Sequence, residues 1–320
     1  MERGKNLIND LVQPVSKRLL LLMLLVTVGS EAVLLLSRYS YFFSDFYNLL
    51  MVGSITLAWK LHPRLAPAPR NAGLENGSTP FPSDSESFFG FGGGAPKRQI
   101  VSQFAVIFLL FYLGSIITNF YSNILYKDFN DNYAEYVEES AAAIESGLDG
   151  SGEDLAGPTR VFEWFDLVGY DFLSDTLAGF EEVYRISYII LFLMLFKKIF
   201  PHKWAKWPQE VFLMAVLFIS SLLFGIGHTL ANPQPWSVTL GTIATFTNMG
   251  LILGLLLLWS RNLWLLIAVH SVYDILMTIQ WYYFDVAAPV FSGVLILAWI
   301  IETATRKKPN YQETSLKIGE

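Results

Sequence analysis

The sequence contains no cysteine. Disulfides, thiolate metal sites and a cysteine nucleophile are thereby excluded. Charge is scarce as well. Asp, Glu, Lys and Arg make up 16% of the residues, against about 25% in an ordinary soluble domain. The net charge is −6, much of it from one acidic stretch, so there is no basic excess to hold a polyanion and no nucleic-acid partner is expected. No segment of about 20–50 residues recurs, which argues against a solenoid.

What the chain has in abundance is apolar surface, at 53% of residues. A spanning helix needs about 20 mostly apolar residues. Stretches of that kind lie near 18–37, 41–60, 101–125, 177–197, 210–230, 237–259, 262–283 and 286–304. The expected fold is all-α, a polytopic transmembrane helix bundle of about eight spans. The first span follows Lys17 and Arg18 in the manner of a signal sequence. No small-residue cleavage site comes after it, so it reads as a retained anchor.

Lysine and arginine collect on the cytoplasmic side of membrane proteins. Here they collect in alternate loops. One set holds Arg3, Lys5, Lys17 and Arg18; Lys60, Arg64, Arg70, Lys97 and Arg98; Lys197, Lys198, Lys203 and Lys206; Arg261; and Arg306, Lys307 and Lys308. The intervening loop 127–176 is acidic, with Lys127 and Arg160 its only basic residues. Both termini are expected in the cytoplasm of a multi-pass cell-membrane protein. The organisation follows: two N-terminal spans over 1–61, then a flexible Pro/Gly/Ser-rich cytoplasmic linker over 62–100. A third span covers 101–126, an acidic extracytoplasmic loop 127–176, a helical core 177–305 and a cytoplasmic tail 306–320.

Ionisable groups within spans are costly, and each is a functional candidate. Of the four histidines, His62 and His202 read as loop residues, whereas His228 and His270 sit in apolar spans. Glu181, Glu182, Arg185 and Asp274 join them. On a helix Glu181 and Arg185 stand at i and i+4 and can pair, while Glu182 points about 100° away. One carboxylate is then held by the arginine as its neighbour faces another helix. Gly225 and Gly227, just before His228, let another helix or a substrate backbone come close. His270 and Asp274 share one helix face.

These residue types suit hydrolysis. A carboxylate can act as general base toward water, and a histidine beside it can share that proton or orient the water. A second histidine held by Asp274 can donate to the oxyanion. Glu181, His228 and His270 also match a catalytic zinc set with one open position. The residues leave both mechanisms open. Glu31 and Asp45, in the first two spans, read more simply as interhelical partners or span-end markers. Trp204, Trp207, Trp236, Trp264 and Trp281 read as interfacial belt residues.

At these positions the chain resembles the CAAX-protease and bacteriocin-processing (CPBP, or Abi) superfamily of intramembrane proteases. Phe224–His228 matches the family's FxxxH motif and His270–Asp274 its HxxxD motif. Gly250 and Gly254, then Arg261-Asn262-Leu263-Trp264, lead into the second of these as in that family. The likeness covers about residues 176–280. One spacing differs, because two residues rather than three separate the Glu pair from Arg185. That spacing is similar to the EExxK motif of PrsW-type proteases, and either glutamate fits the base. The resemblance implies that the Glu pair and His228 activate water, while His270 and Asp274 stabilise the oxyanion or complete the site. Its implied substrates are membrane-anchored or lipidated proteins, met within the lipid bilayer. The alternatives are an inactive scaffold or immunity protein of the same fold, and a proton-coupled transporter. The absence of an inverted repeat disfavours the transporter.

Overall fold

The computed structural model describes residues 2–65, 97–126, 129, 131–135, 138, 169, 172–231 and 234–305. The body of the expected linker (66–96), most of the expected acidic loop and the tail from 306 lie outside the described residues.

Among the described residues all regular structure is helical. An amphipathic helix α1 (Glu2–Leu11) precedes α2 (Lys17–Ser37), which contains a π turn at Leu25–Gly29. Then come α3 (Tyr41–Leu65), α4 (Lys97–Leu125), α5 (Glu181–Ile199) and the short α6 (Pro201–Lys206). Last among the described residues come α7 (Gln209–Gly227), α8 (Trp236–Ser260), α9 (Leu263–Tyr282) and α10 (Ala287–Thr305).

Among the described residues six helices are long and apolar enough to cross a membrane: α2, α4 (as Ile100–Ile124), α7, α8, α9 (as Leu263–Trp281) and α10. The other two expected spans are helical but do not join that six. α5 carries Glu181, Glu182, Arg185, Lys197 and Lys198, and α3 is interrupted by Ser44, Asp45, Asn48 and Ser54. Outward faces bear rows such as Leu113, Ile117 and Phe120 on α4 and Val290, Val294 and Leu297 on α10, all exposed. Water would not tolerate such contiguous apolar surface on a monomer; lipid does. The protein is a multi-pass membrane protein built as a helix bundle.

α5 lies at its centre. From Glu182 to Ile190 every residue is buried, which is why this helix has no apolar stripe. Its neighbours include α2, α3, α7 and α9. α7 and α8 form the most intimate pair. A Cβ on Gly225 would stand 2.4 Å from the Ile243 carbonyl and from Thr247 Oγ1 on α8, so only glycine permits this approach. α4 closes the other side of α8, where Thr245 Oγ1 donates to Ser122 Oγ at 2.7 Å. Asn262 caps α9 by accepting from the Leu265 N–H at 3.2 Å, and Arg261 takes the left-handed conformation at φ 53° to make the turn.

Three local expectations need correction. His62 is not in a loop: α3 runs through Pro63 to Leu65 because Leu61 and Leu65 are fully buried. Arg64 also donates to the carbonyls of Leu11, Gln13 and Pro14 at 3.4, 3.1 and 3.2 Å, tying the end of α3 to α1. His202 likewise belongs to α6, which Pro201 opens as its first residue. Trp204 and Trp264 are buried rather than interfacial; Trp204 packs 5.0 Å from the Phe212 ring.

Candidate active site

A short helical stretch at 172–178 and a turn at 179–180 lead into α5. Gly179 makes that entry possible. A Cβ there would fall 2.1 Å from Ser271 Oγ and 2.4 Å from the Ile267 carbonyl of α9. Ser271 Oγ in turn donates to the Thr176 carbonyl at 2.8 Å. The first turn of α5 is thereby pressed against α9 one residue from His270.

The expected pairing is reversed. Arg185 bonds Glu182, at i and i+3, and not Glu181. Its Nε donates to Glu182 Oε2 at 2.8 Å and its Nη2 to Oε1 at 3.2 Å. Both spacings suit a helix, so tertiary partners decide. Arg185 Nη1 donates to the Gly250 carbonyl at 2.9 Å, and the guanidinium lies 4.4 Å over the Phe224 ring. These anchors draw the arginine to the side of α5 that Glu182 occupies. Glu182 is wholly buried and Arg185 nearly so.

His270 extends this arrangement. Its Nδ1 lies 3.1 Å from Glu182 Oε1 and its Nε2 3.5 Å from Asp274 Oδ2. The expected His270–Asp274 pairing on one helix face is present. The imidazole stands between two carboxylates, walled by Phe111 and Phe224 at 6.3 and 6.1 Å between ring centroids. Arg185, Glu182, His270 and Asp274 form a continuous polar chain through the bundle.

Glu181 faces the other way. It is half-buried and lines a cavity of about 260 Å³ together with Tyr47, Tyr184, Arg185, Tyr188 and His228. Glu181, Tyr184 and Tyr188 follow i, i+3, i+7 and so share one stripe of α5. The Tyr47 hydroxyl of α3 donates to Glu181 Oε1 at 3.5 Å. His228 caps the C-terminus of α7. Its Nδ1 lies 2.8 Å from the Phe224 carbonyl, and its ring stacks on Phe246 at 3.8 Å. A carbonyl only accepts, so Nδ1 carries the proton, and in the neutral ring Nε2 is the acceptor.

The six singled-out residues thus fall into two groups, Glu181 with His228 on the cavity and Glu182, Arg185, His270 and Asp274 behind, with Arg185 reaching both. Among the described residues no three His, Asp or Glu side chains converge as a metal-ligand group. The zinc set Glu181, His228 and His270 does not fit, because both ring nitrogens of His270 already face carboxylates. Tyr47 and Glu31 also line the cavity, and the sequence motifs do not mark either as a site residue. Tyr47 sits in an aromatic run that carries no spacing signal. Glu31 is an ionisable group in a span, which is itself a signal.

Residues 181–276, from the start of α5 into α9, match a family model described as Rce1-like, type II CAAX prenyl endopeptidase Rce1-like. This family lies within the CPBP superfamily, in agreement with the likeness carried by the motifs. No curated protein and no solved structure matches the chain.

Proposed function

We propose that this protein is a CAAX-type intramembrane endopeptidase that hydrolyses a peptide bond of a lipidated or otherwise membrane-anchored protein. The Rce1-like match supports the reaction class. The observation that carries the mechanism is one cavity fronted by both Glu181 and His228, backed by a buried chain of charged groups.

In this reading Glu181 is the general base. It takes a proton from water as the water oxygen attacks the scissile carbonyl carbon. The same proton passes to the peptide nitrogen as the C–N bond breaks. His228 accepts a hydrogen bond from that water at Nε2. Glu182 is kept from this role by Arg185 and His270. His270, with a carboxylate at each ring nitrogen, acts as a positioning residue here rather than as the oxyanion donor that the resemblance implies. Arg185 reaches the cavity, and its charge favours the developing oxyanion. Tyr47 orients Glu181.

The test is cleavage of prenylated membrane peptides by the purified full chain in proteoliposomes, with and without a chelator. Product is expected from the parent in both conditions, and less by about 10²-fold or more from Glu181→Gln or His228→Ala. A parent that cleaves nothing, or a Glu181→Gln variant with parental activity, rejects this assignment. An inactive scaffold predicts that every such variant keeps its phenotype.

A further inference from the structure

The N-terminal helices lie outside the family-matched stretch, yet they complete the cavity. α2 contributes Glu31 and α3 contributes Tyr47. The π turn Leu25–Gly29 ends two residues before Glu31. Such a turn adds one residue, rotating everything after it by about 100° about the helix axis. The direction of Glu31 depends on that insertion. Its carboxylate oxygens lie 3.4 and 3.6 Å from the point a Cβ on Gly227 would occupy, one residue before His228.

Glu31 has a neutral neighbour, the Tyr188 hydroxyl. The ion pairs Arg185–Glu182, His270–Glu182 and His270–Asp274 do not involve Glu31. Arg185, the basic residue on the same cavity, is already engaged by Glu182, the Gly250 carbonyl and the Phe224 ring. Two carboxylates, Glu31 and Glu181, therefore line one cavity whose lining holds a single arginine, already committed elsewhere. Tyr47, Tyr184, Tyr188 and Phe224 supply aromatic wall, which attracts cations through the ring quadrupole. An acidic space in an apolar surround disfavours an entering carboxylate and favours an entering cation.

We propose that Glu31 and this aromatic wall form a subsite for a cationic group of the substrate, the ammonium or guanidinium of a lysine or arginine side chain next to the bond that is cut. Glu31 is then a specificity-determining residue supplied by α2. The inference rests on reading the cavity as a peptidase site.

Its test uses prenylated peptides that differ only in carrying Lys, Gln or Glu beside the scissile bond. Cleavage is measured with the parent chain in proteoliposomes, and binding with the Glu181→Gln protein. The Lys peptide is expected to exceed the Glu peptide by at least about tenfold in kcat/KM and in affinity. Glu31→Gln should bring that ratio close to one, and Glu31→Lys should invert it. Inversion cannot arise from misfolding. Equal handling of the three peptides by the parent, or an undiminished Lys preference in Glu31→Gln, overturns the subsite. Binding that discriminates by charge without any cleavage upholds the subsite and rejects the peptidase reading instead.

Discussion

Glu181 and Glu182 are adjacent in sequence and opposite in circumstance. Glu182 is fully buried and holds Arg185 and His270. Removing one partner of such a network leaves uncompensated charge, at a cost of about 3–5 kcal/mol. Glu182→Gln is therefore expected to lower thermal stability in detergent as well as activity. Glu181 is half-buried, with one long hydrogen bond from Tyr47. Glu181→Gln should leave the melting temperature within a degree or two of the parent while cleavage falls by about 10²–10⁴-fold, the usual worth of a general base. Equal melting losses in the two variants would contradict the division of labour. Tyr47→Phe removes only the hydroxyl, and a smaller loss of about tenfold in kcat/KM is expected, with stability unchanged.

At the scale of helices, the site depends on two close approaches. Gly225 lets α7 meet the α8 backbone, and Gly179 lets the entry to α5 meet α9. Gly225→Val would force α7 outward by more than a side-chain rotation can absorb, because the atoms met are backbone carbonyl and amide as well as Thr247 Oγ1. Overpacking of this kind costs about 1–3 kcal/mol or more. The expected outcome is poor folding yield and loss of activity together. Asn262→Ala tests the start of α9 more gently, since loss of one N-cap costs about 1 kcal/mol and leaves the His270 face intact. Activity should survive that change, measured at a temperature below the lowered midpoint. The arginine at the end of α2 belongs to this scale too. Arg38 Nε donates to the Leu230 carbonyl and its Nη2 to that of Thr229, just after His228.

For the molecule as a whole, the cavity lies at the end of the bundle where α2 and α7 finish and α3 and α5 begin. The basic helix ends with Lys17, Lys60, Arg64, Lys197, Lys198 and Arg261 lie at the other end. By the charge rule the site should open toward the extracytoplasmic half of the membrane. The natural lack of cysteine makes this simple to check. A single cysteine at Ala231, on the cavity rim, is expected to react with a membrane-impermeant thiol reagent added from outside sealed cells. Labelling only after the cytoplasmic face is exposed would reverse the orientation.

The sequence alone determined the class of the molecule. Long apolar runs admit little besides a helical membrane bundle, because hydrocarbon demands that each backbone group be bonded within its own segment. It also singles out most of the charged residues of the candidate site, since a carboxylate or imidazole in such a run stands out by its cost. Glu181, Glu182, Arg185, His228, His270 and Asp274 were all legible on that ground. Their pairing was not. Glu181 and Glu182 reach Arg185 equally well along a helix, and only Gly250, Phe224 and His270, each on another helix, settle that Glu182 is the one held. Tyr47 is one aromatic among many until α3 is packed against α5, and Glu31 turns to the cavity through a π turn that no spacing rule announces. Chemistry inside a membrane is written in residue type, but its geometry is set by which helices touch.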